Sequence, residues 1–467
     1  MSDHVLPPAA PSPARSGPRR RTAVDAAILV LMAVGASLVS VSVLGLGVLA
    51  PQTLLMFAAA FVAVVVLRPE WLFVITGALL FFPGKRTIFP FELTFGLLVF
   101  ITVIEGIRRR DRDLLRLDRF EVFNLMFVLW AALTVFWCTD FRIYLHGMRR
   151  LLEGVLAFWT AFRLARFVPR RVFESSLLAM AFGLSISALI QYLLRTGFGQ
   201  HEVDRASATN LGWGKANAIA TMLLMLGPPI LDMAFRAKSP VLRGLAWVSS
   251  GFTMVMQLMI ASRAATILYV GALYSQLTVG RWRQRVFTAL AVSVVVAAAM
   301  FTPSGQALLS RFTNLRELGG MVIRIWYARE AWNRTVAGFP LGIGLNQGQV
   351  QADKLGSVGT HDYWLDVSSE LGVLGILLWI AFWVVLWLRI RTITRTAGWL
   401  WEGRALHISF WMSFIHACVE PTFGMAHYQF VFFWLFGGYL GYHAVGATRE
   451  AEEKRERGRA MRAVPAA

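Results

Sequence analysis

The feature that most constrains this chain is the repetition of apolar runs long enough to cross a bilayer, such as those at 24–50 and 286–301. Runs of roughly 17–25 apolar residues are what a hydrocarbon core asks of a helix. Lipid cannot hydrogen-bond the backbone of an open sheet, so many such runs mean a helical bundle. Candidate spans fall near 24–47, 52–67, 71–83, 91–107, 121–138, 151–168 and 174–194. A second set falls near 214–235, 244–261, 264–279, 286–302, 366–388, 405–420 and 425–445. The prediction is an all-α, polytopic transmembrane bundle of about 12–14 helices. Composition agrees, because only 16% of the residues are charged, against about a quarter in a soluble domain.

A net charge of +19 suggests nucleic acid at first sight. Its distribution argues against that. Basic residues gather in short stretches: Arg108 to Arg119, Arg166 to Arg171, Arg236 to Arg243, Arg281 to Arg285, Arg389 to Arg395, and a tail from Arg449 to Arg462. Each stretch lies two apolar segments from the next, which the positive-inside rule requires of cytoplasmic loops. No nucleic-acid partner is expected. An even number of crossings puts both termini inside a bacterial inner membrane. The expected organisation is a disordered cytoplasmic tail at 1–22, transmembrane helices at 23–302, a periplasmic loop at 303–365, C-terminal transmembrane helices at 366–446, and a basic cytoplasmic tail at 447–467. The first segment, rich in Pro, Ala and Arg, does not read as a cleavable signal. Cys138 and Cys418 allow one disulfide at most and no metal cluster.

The long outer loop is predicted to be partly helical. Met321, Ile325, Ala328 and Trp332 recur at helical spacing, and Arg324 borders their face. Gly338-Phe339-Pro340-Leu341-Gly342-Ile343-Gly344 then breaks the helix. Trp326, Tyr327 and Trp332 suit a segment that lies at a membrane interface.

Basic residues on the outer side oppose the topology signal and so become candidates. Most read as solvated or headgroup-facing side chains. Arg263, alone between two apolar runs, is costly at membrane depth and marks a functional site by default; its structural alternative is a guanidinium that snorkels or caps helix carbonyls. His361 stands where the outer loop enters a helix, a place that disfavours an imidazolium and suits a neutral base. Asp362, Asp366 and Glu370 follow at i, i+4 and i+8, a stripe expected to face the bundle interior and pair with outer arginines. His416 and Glu420 are four residues apart and read as a satisfied interior hydrogen-bonded pair, or more sharply as a proton relay. No zinc-type spacing, P-loop or dinucleotide fingerprint occurs, so no metal and no cofactor is expected.

These residues carry a family resemblance. His361, an acid, nine residues and then Gly372-Val373-Leu374-Gly375 resembles the outer-loop signature of bacterial O-antigen ligases, whose superfamily includes O-antigen and exopolysaccharide polymerases and protein O-oligosaccharyltransferases. Arg324-Ile325-Trp326 through the Pro340-Leu341-Gly342-Ile343-Gly344 turn is similar to that family's loop helix and turn. Ser262-Arg263-Ala264 looks like its membrane-edge element, and Gly214-Lys215-Ala216-Asn217 like its Asn-containing helix start. The matches lie within about residues 205–380. Asp362 departs from the family, which usually has an amide or hydroxyl there.

The resemblance implies a glycosyltransferase of the outer face whose donor is a glycan on undecaprenyl diphosphate. The acceptor is a lipid A-core sugar for a ligase, or a second lipid-linked glycan for a polymerase. Arg324 and Arg263 would hold the diphosphate and offset charge on the leaving group. His361 has two roles open to it, as the acceptor's base or as a diphosphate contact. Arg329, Asn217, Lys215, Asp362 and Glu370 would line the substrate site. The competing class is a transporter or flippase, which would show midplane charges and usually repeats. A plain membrane scaffold leaves Arg263 and the His361 stripe unexplained.

Overall fold

Alternating apolar runs and basic loops become alternating helices. The structure, a computed structural model, describes residues 72–80, 88–108, 117–196, 216–260, 262–277, 282–301, 306, 319–348, 362–396 and 399–462. It contains α1 (Leu72–Leu79), α2 (Ile88–Arg108), α3 (Arg119–Leu133), α4 (Phe141–Leu164), α5 (Arg170–Thr196), α6 (Ala216–Arg236) and α7 (Pro240–Ile260). Then come α8 (Arg263–Leu277), α9 (Trp282–Met300), α10 (Gly319–Ala337), α11 (Tyr363–Arg395), α12 (Leu400–Ala417) and α13 (Ala426–Arg462). No strand occurs among the described residues. The fold is an all-α bundle, as expected. Among the described residues, five segments are long and apolar enough to cross a membrane: Arg119–Phe136, Arg170–Leu189, Asn217–Arg236, Tyr363–Arg395 and Ala426–Thr448. The spans expected at 24–47 and 52–67 and the tail at 1–22 lie outside the described residues.

Ion pairs gather at one end of the bundle. There Arg163 pairs with Glu121 at 2.8 Å, and Arg389 with Asp118. Arg170 bonds Glu174 and Glu402, both at 2.9 Å. Arg236 bonds Asp232 at 2.6 Å and Glu402 at 2.9 Å. One buried carboxylate thus serves two guanidinium groups from two helices. Glu402→Ala should therefore destabilise the protein by about 1–3 kcal/mol, because two part-buried guanidinium groups each lose one charge-assisted bond while keeping another. The thermal midpoint in detergent reads this, and an unchanged midpoint would show that Glu174 and Asp232 suffice for both arginines.

From that end a polar seam runs between α6 and α12 to the opposite end. Ser409 Oγ donates to the Met225 carbonyl at 2.8 Å, which is the carbonyl that Pro229, inside α6, leaves without its helical donor. Higher up, Thr221 Oγ1 lies 2.9 Å from His416 Nε2. Asn217 Nδ2 donates to Glu420 Oε1 at 3.0 Å. Each rung satisfies a group that lipid would leave bare.

Elsewhere the contacts are apolar and close. α13 lies directly on α4, because a Cβ at Gly437 would come within 2.7 Å of the Phe158 carbonyl oxygen, and one at Gly441 within 2.5 Å of that of Phe162. Small residues let membrane helices approach in this way. Trp379, Phe382, Trp383 and Phe423 pack ring to ring beside them. One difference concerns the C-terminal tail: α13 continues as helix through the basic segment to Arg462. Its Glu, Lys, Arg and Ala residues are strong helix formers. Both cysteines are free thiols.

Candidate functional site

At the end of the bundle opposite the ion pairs, the loop after α10 is fixed by backbone. α10 stops at Ala337, where the Gly338–Gly344 turn begins. Ile343 N donates to the Ser369 carbonyl and Gly344 N to that of Glu370, both at 2.9 Å. Val373 N returns a bond to the Pro340 carbonyl at 2.9 Å. This exchange is possible because α11 kinks at Gly372, which has φ 65° and ψ −159°. Trp130 Nε1 takes up the Leu371 carbonyl next to the kink, at 2.8 Å. A Cβ at Gly372 would come 2.1 Å from the Pro340 oxygen. Only glycine fits there.

Side chains complete the anchor. Glu370 Oε2 accepts from Asn346 N at 2.7 Å, and its Oε1 from Gly348 N at 3.2 Å. Buried Arg334 donates to the Gly348 carbonyl at 2.9 Å. Gln347 bridges to the turn before α4, with its Oε1 2.7 Å from Thr139 Oγ1 and its Nε2 2.9 Å from the Asp140 carbonyl. Residues 338–348 are therefore tied to α11 on one side and to the α3–α4 turn on the other.

Beside this anchor stands a carboxylate that gathers three elements. Glu420 follows α12, and its Oε1 accepts from Arg324 Nη2 on α10 at 2.8 Å and from Asn217 on α6 at 3.0 Å. Arg324 also reaches the Val419 carbonyl at 3.4 Å. The Arg324 side chain is 44% exposed, whereas that of Glu420 is 8% exposed. A buried anion thus holds a partly exposed cation. Beneath them the His416 ring is fully buried, between Thr221 Oγ1 and Thr422 Oγ1, the latter 3.3 Å from Nδ1. The short turn Pro421–Gly424 closes the floor. There Arg150 on α4 donates to the Gly424 carbonyl at 3.2 Å, and the Tyr363 and Phe423 rings lie 5.3 Å apart.

The expected site residues separate into groups. Asn217 and Arg324 meet through Glu420. Arg263 opens α8, although its side chain lies outside the described residues. The turn before it belongs to the same neighbourhood: Thr266, on the first turn of α8, reaches the Gln257 carbonyl at 3.3 Å, and Gln257 reaches Ala220 on α6 at 2.6 Å. His361 and Lys215 lie outside the described residues. Each immediately precedes a residue placed here, Asp362 and Ala216. Arg329 is exposed on α10, about 140° around the helix from Arg324.

Asp362 has a local task. It is the N-cap of α11, and its Oδ1 accepts from Trp364 N at 2.8 Å and from Leu365 N at 3.3 Å. Burial pushes its carboxyl above the ordinary range, and these two backbone bonds oppose that. Asn, Asp and Ser are near-equal N-caps. The acid at this position therefore does the capping that an amide or hydroxyl would do. Both Glu370 oxygens serve loop amides, and the Arg334 charge acts on it across Gly348, so the expected pairing with an outer arginine is present as an electrostatic contact beside the amide bonds. The stripe from Asp362 through Asp366 to Glu370 ends just before the Gly372 kink, which brings those amides within reach of Glu370.

His416 and Glu420 are joined through the backbone, Glu420 N to the His416 carbonyl at 2.9 Å, while the His416 ring lies between two threonines and Glu420 holds Asn217 and Arg324. Glu420 is the residue that sequence reasoning left out of the site. Its signal was a carboxylate at the end of an apolar span on the same side as Arg324. No family model matches this chain, and no curated protein matches it.

Proposed function

We propose that this protein is a glycosyltransferase of the O-antigen ligase and polymerase type, working at the outer face of a bacterial inner membrane. The observation that carries the reading is the Arg324–Glu420–Asn217 contact at the loop end of an apolar bundle. A guanidinium preset by a buried carboxylate, with an edge still accessible, suits a phosphate ester at membrane depth. In the reaction the bond from the sugar anomeric carbon to the diphosphate oxygen breaks, and an acceptor hydroxyl oxygen bonds to that carbon. The hydroxyl proton passes to a base, the role offered to His361. Undecaprenyl diphosphate leaves with its charge offset by Arg324 and Arg263. The acceptor is a lipid A-core sugar for a ligase and a second lipid-linked glycan for a polymerase.

A second reading, transport or flipping, draws on the polar seam and on Pro228 and Pro229 inside α6. One experiment separates them. A deletion strain is complemented with wild type, His361→Ala, Arg263→Ala or Glu420→Ala, and membrane protein level and surface glycan are measured together. Transfer predicts normal accumulation with glycan lost, by about 10²-fold for Glu420→Ala, since displacing an aligned group costs about that much. Bare core with unligated polymer indicates a ligase, and a single repeat on core indicates a polymerase. Wild-type glycan in all three variants sinks the site and leaves transport.

A further inference from the structure

Helix α10 is inside out. The face it turns to the protein carries Arg334, only 7% exposed, while the face it turns away carries Ile325 at 63%, Trp332 at 60% and Val336 at 61% exposure. Positions 325, 332 and 336 form one stripe of the helix. In water that arrangement would expose a contiguous apolar patch of the kind that marks a membrane or partner surface.

What covers it is indicated by what it joins. The stripe runs on through exposed Phe339 and Leu341, and the turn holding them is bonded to Val373 on α11. From there the exposed residues of α11 are Val373, Leu374, Leu377 and Ile380, the side a spanning helix shows to acyl chains. The apolar surface of α10 is therefore continuous with the lipid-facing surface of the bundle. Arg329 falls on the stripe itself, between Ile325 and Trp332, where its long stem lets the charge snorkel to the headgroups, and exposed Asn333 borders the stripe.

We propose that α10 lies in the leaflet at the loop end, with Ile325, Trp332, Val336 and Phe339 buried among acyl chains. The proposal rests on the membrane fold alone. Under the transfer reading it also sets Arg324 at the depth of lipid phosphates, so that a lipid-linked donor need not leave the bilayer to meet it.

The test is collision accessibility of nitroxide labels on the full-length protein in phosphatidylethanolamine–phosphatidylglycerol vesicles. Labels are placed singly at Trp332, Val336 and Phe339 after Cys138→Ser and Cys418→Ser, with Leu377 as the lipid reference and Arg142 as the water reference. Labels on α10 are expected to match Leu377, with strong oxygen collisions and weak collisions with a nickel chelate. Chelate collisions as strong as at Arg142 would overturn the proposal, because the face would then be in water. Protection from both reagents would overturn it too, because a protein would then cover the face. In unsubstituted protein, hydroxyl-radical oxidation of Trp332 should remain low in vesicles, and heavy oxidation counts against burial even if the labelled variants fail to fold. Neither readout involves activity, so this proposal and the transfer reading fail separately.

Discussion

Under the proposed transfer reading, Arg324→Ala should lower glycan transfer by about 10²–10³-fold, the usual cost of removing one preorganised group that offsets developing charge. Two features set the size. The guanidinium is held by Glu420 before substrate arrives, so little reorganisation is left for the reaction. It also lies at the edge of an apolar bundle, where a charge interaction is weakened less than in water. Arg324→Lys keeps the charge but loses the planar fork, and should recover only part of the activity. Purified protein in vesicles with a lipid-diphosphate glycan gives the measurement. Wild-type turnover in Arg324→Ala would remove Arg324 from the reaction. A raised KM with unchanged kcat would restrict it to binding.

Gly372→Ala should cost about 1–3 kcal/mol for the positive φ alone, and more because the added methyl meets the Pro340 oxygen. The loop and α11 must then separate. Loss of the Pro340–Val373, Ser369–Ile343 and Glu370–Gly344 bonds would follow together, since all three depend on the kink. The measurement is twofold: the thermal midpoint in detergent, and the rate of proteolysis within residues 338–348. A lower midpoint with faster cleavage is expected. An unchanged midpoint with wild-type cleavage would show that α11 can straighten without releasing the loop.

Much of this was legible in the sequence, and the rest was hidden for identifiable reasons. Apolar runs announced the helices, because a bilayer imposes length and hydrophobicity on each segment separately. Arg324 stood out because topology made a charge unusual where it fell, whereas Asn217 was picked out only by the family resemblance of the segment around it. Glu420 was noticed beside His416, but its place in the site was not, because that depends on an arginine 96 positions away, a pairing that no local pattern encodes. The Gly372 kink was invisible for the opposite reason: apolar helical residues flank it on both sides, so the pattern reads straight through. The orientation of α10 was half legible. Its periodic apolar face could be counted, but which way that face turned depended on where Arg334 found a partner.

The seam between α6 and α12 has a consequence for how the protein is made. Its rungs join residues 184 to 203 positions apart, so α6 leaves the ribosome long before α12 exists. In the interval Asn217, Thr221 and the Met225 carbonyl have no seam partner, and α6 must rest in the membrane with those groups met by water, by neighbouring helices or by an insertion chaperone. The seam can close only after the chain has passed Glu420. Quality control could therefore read an open seam as the mark of an unfinished molecule, and a nascent chain stopped before α12 should be held by the insertion machinery or degraded, however well its earlier helices are packed.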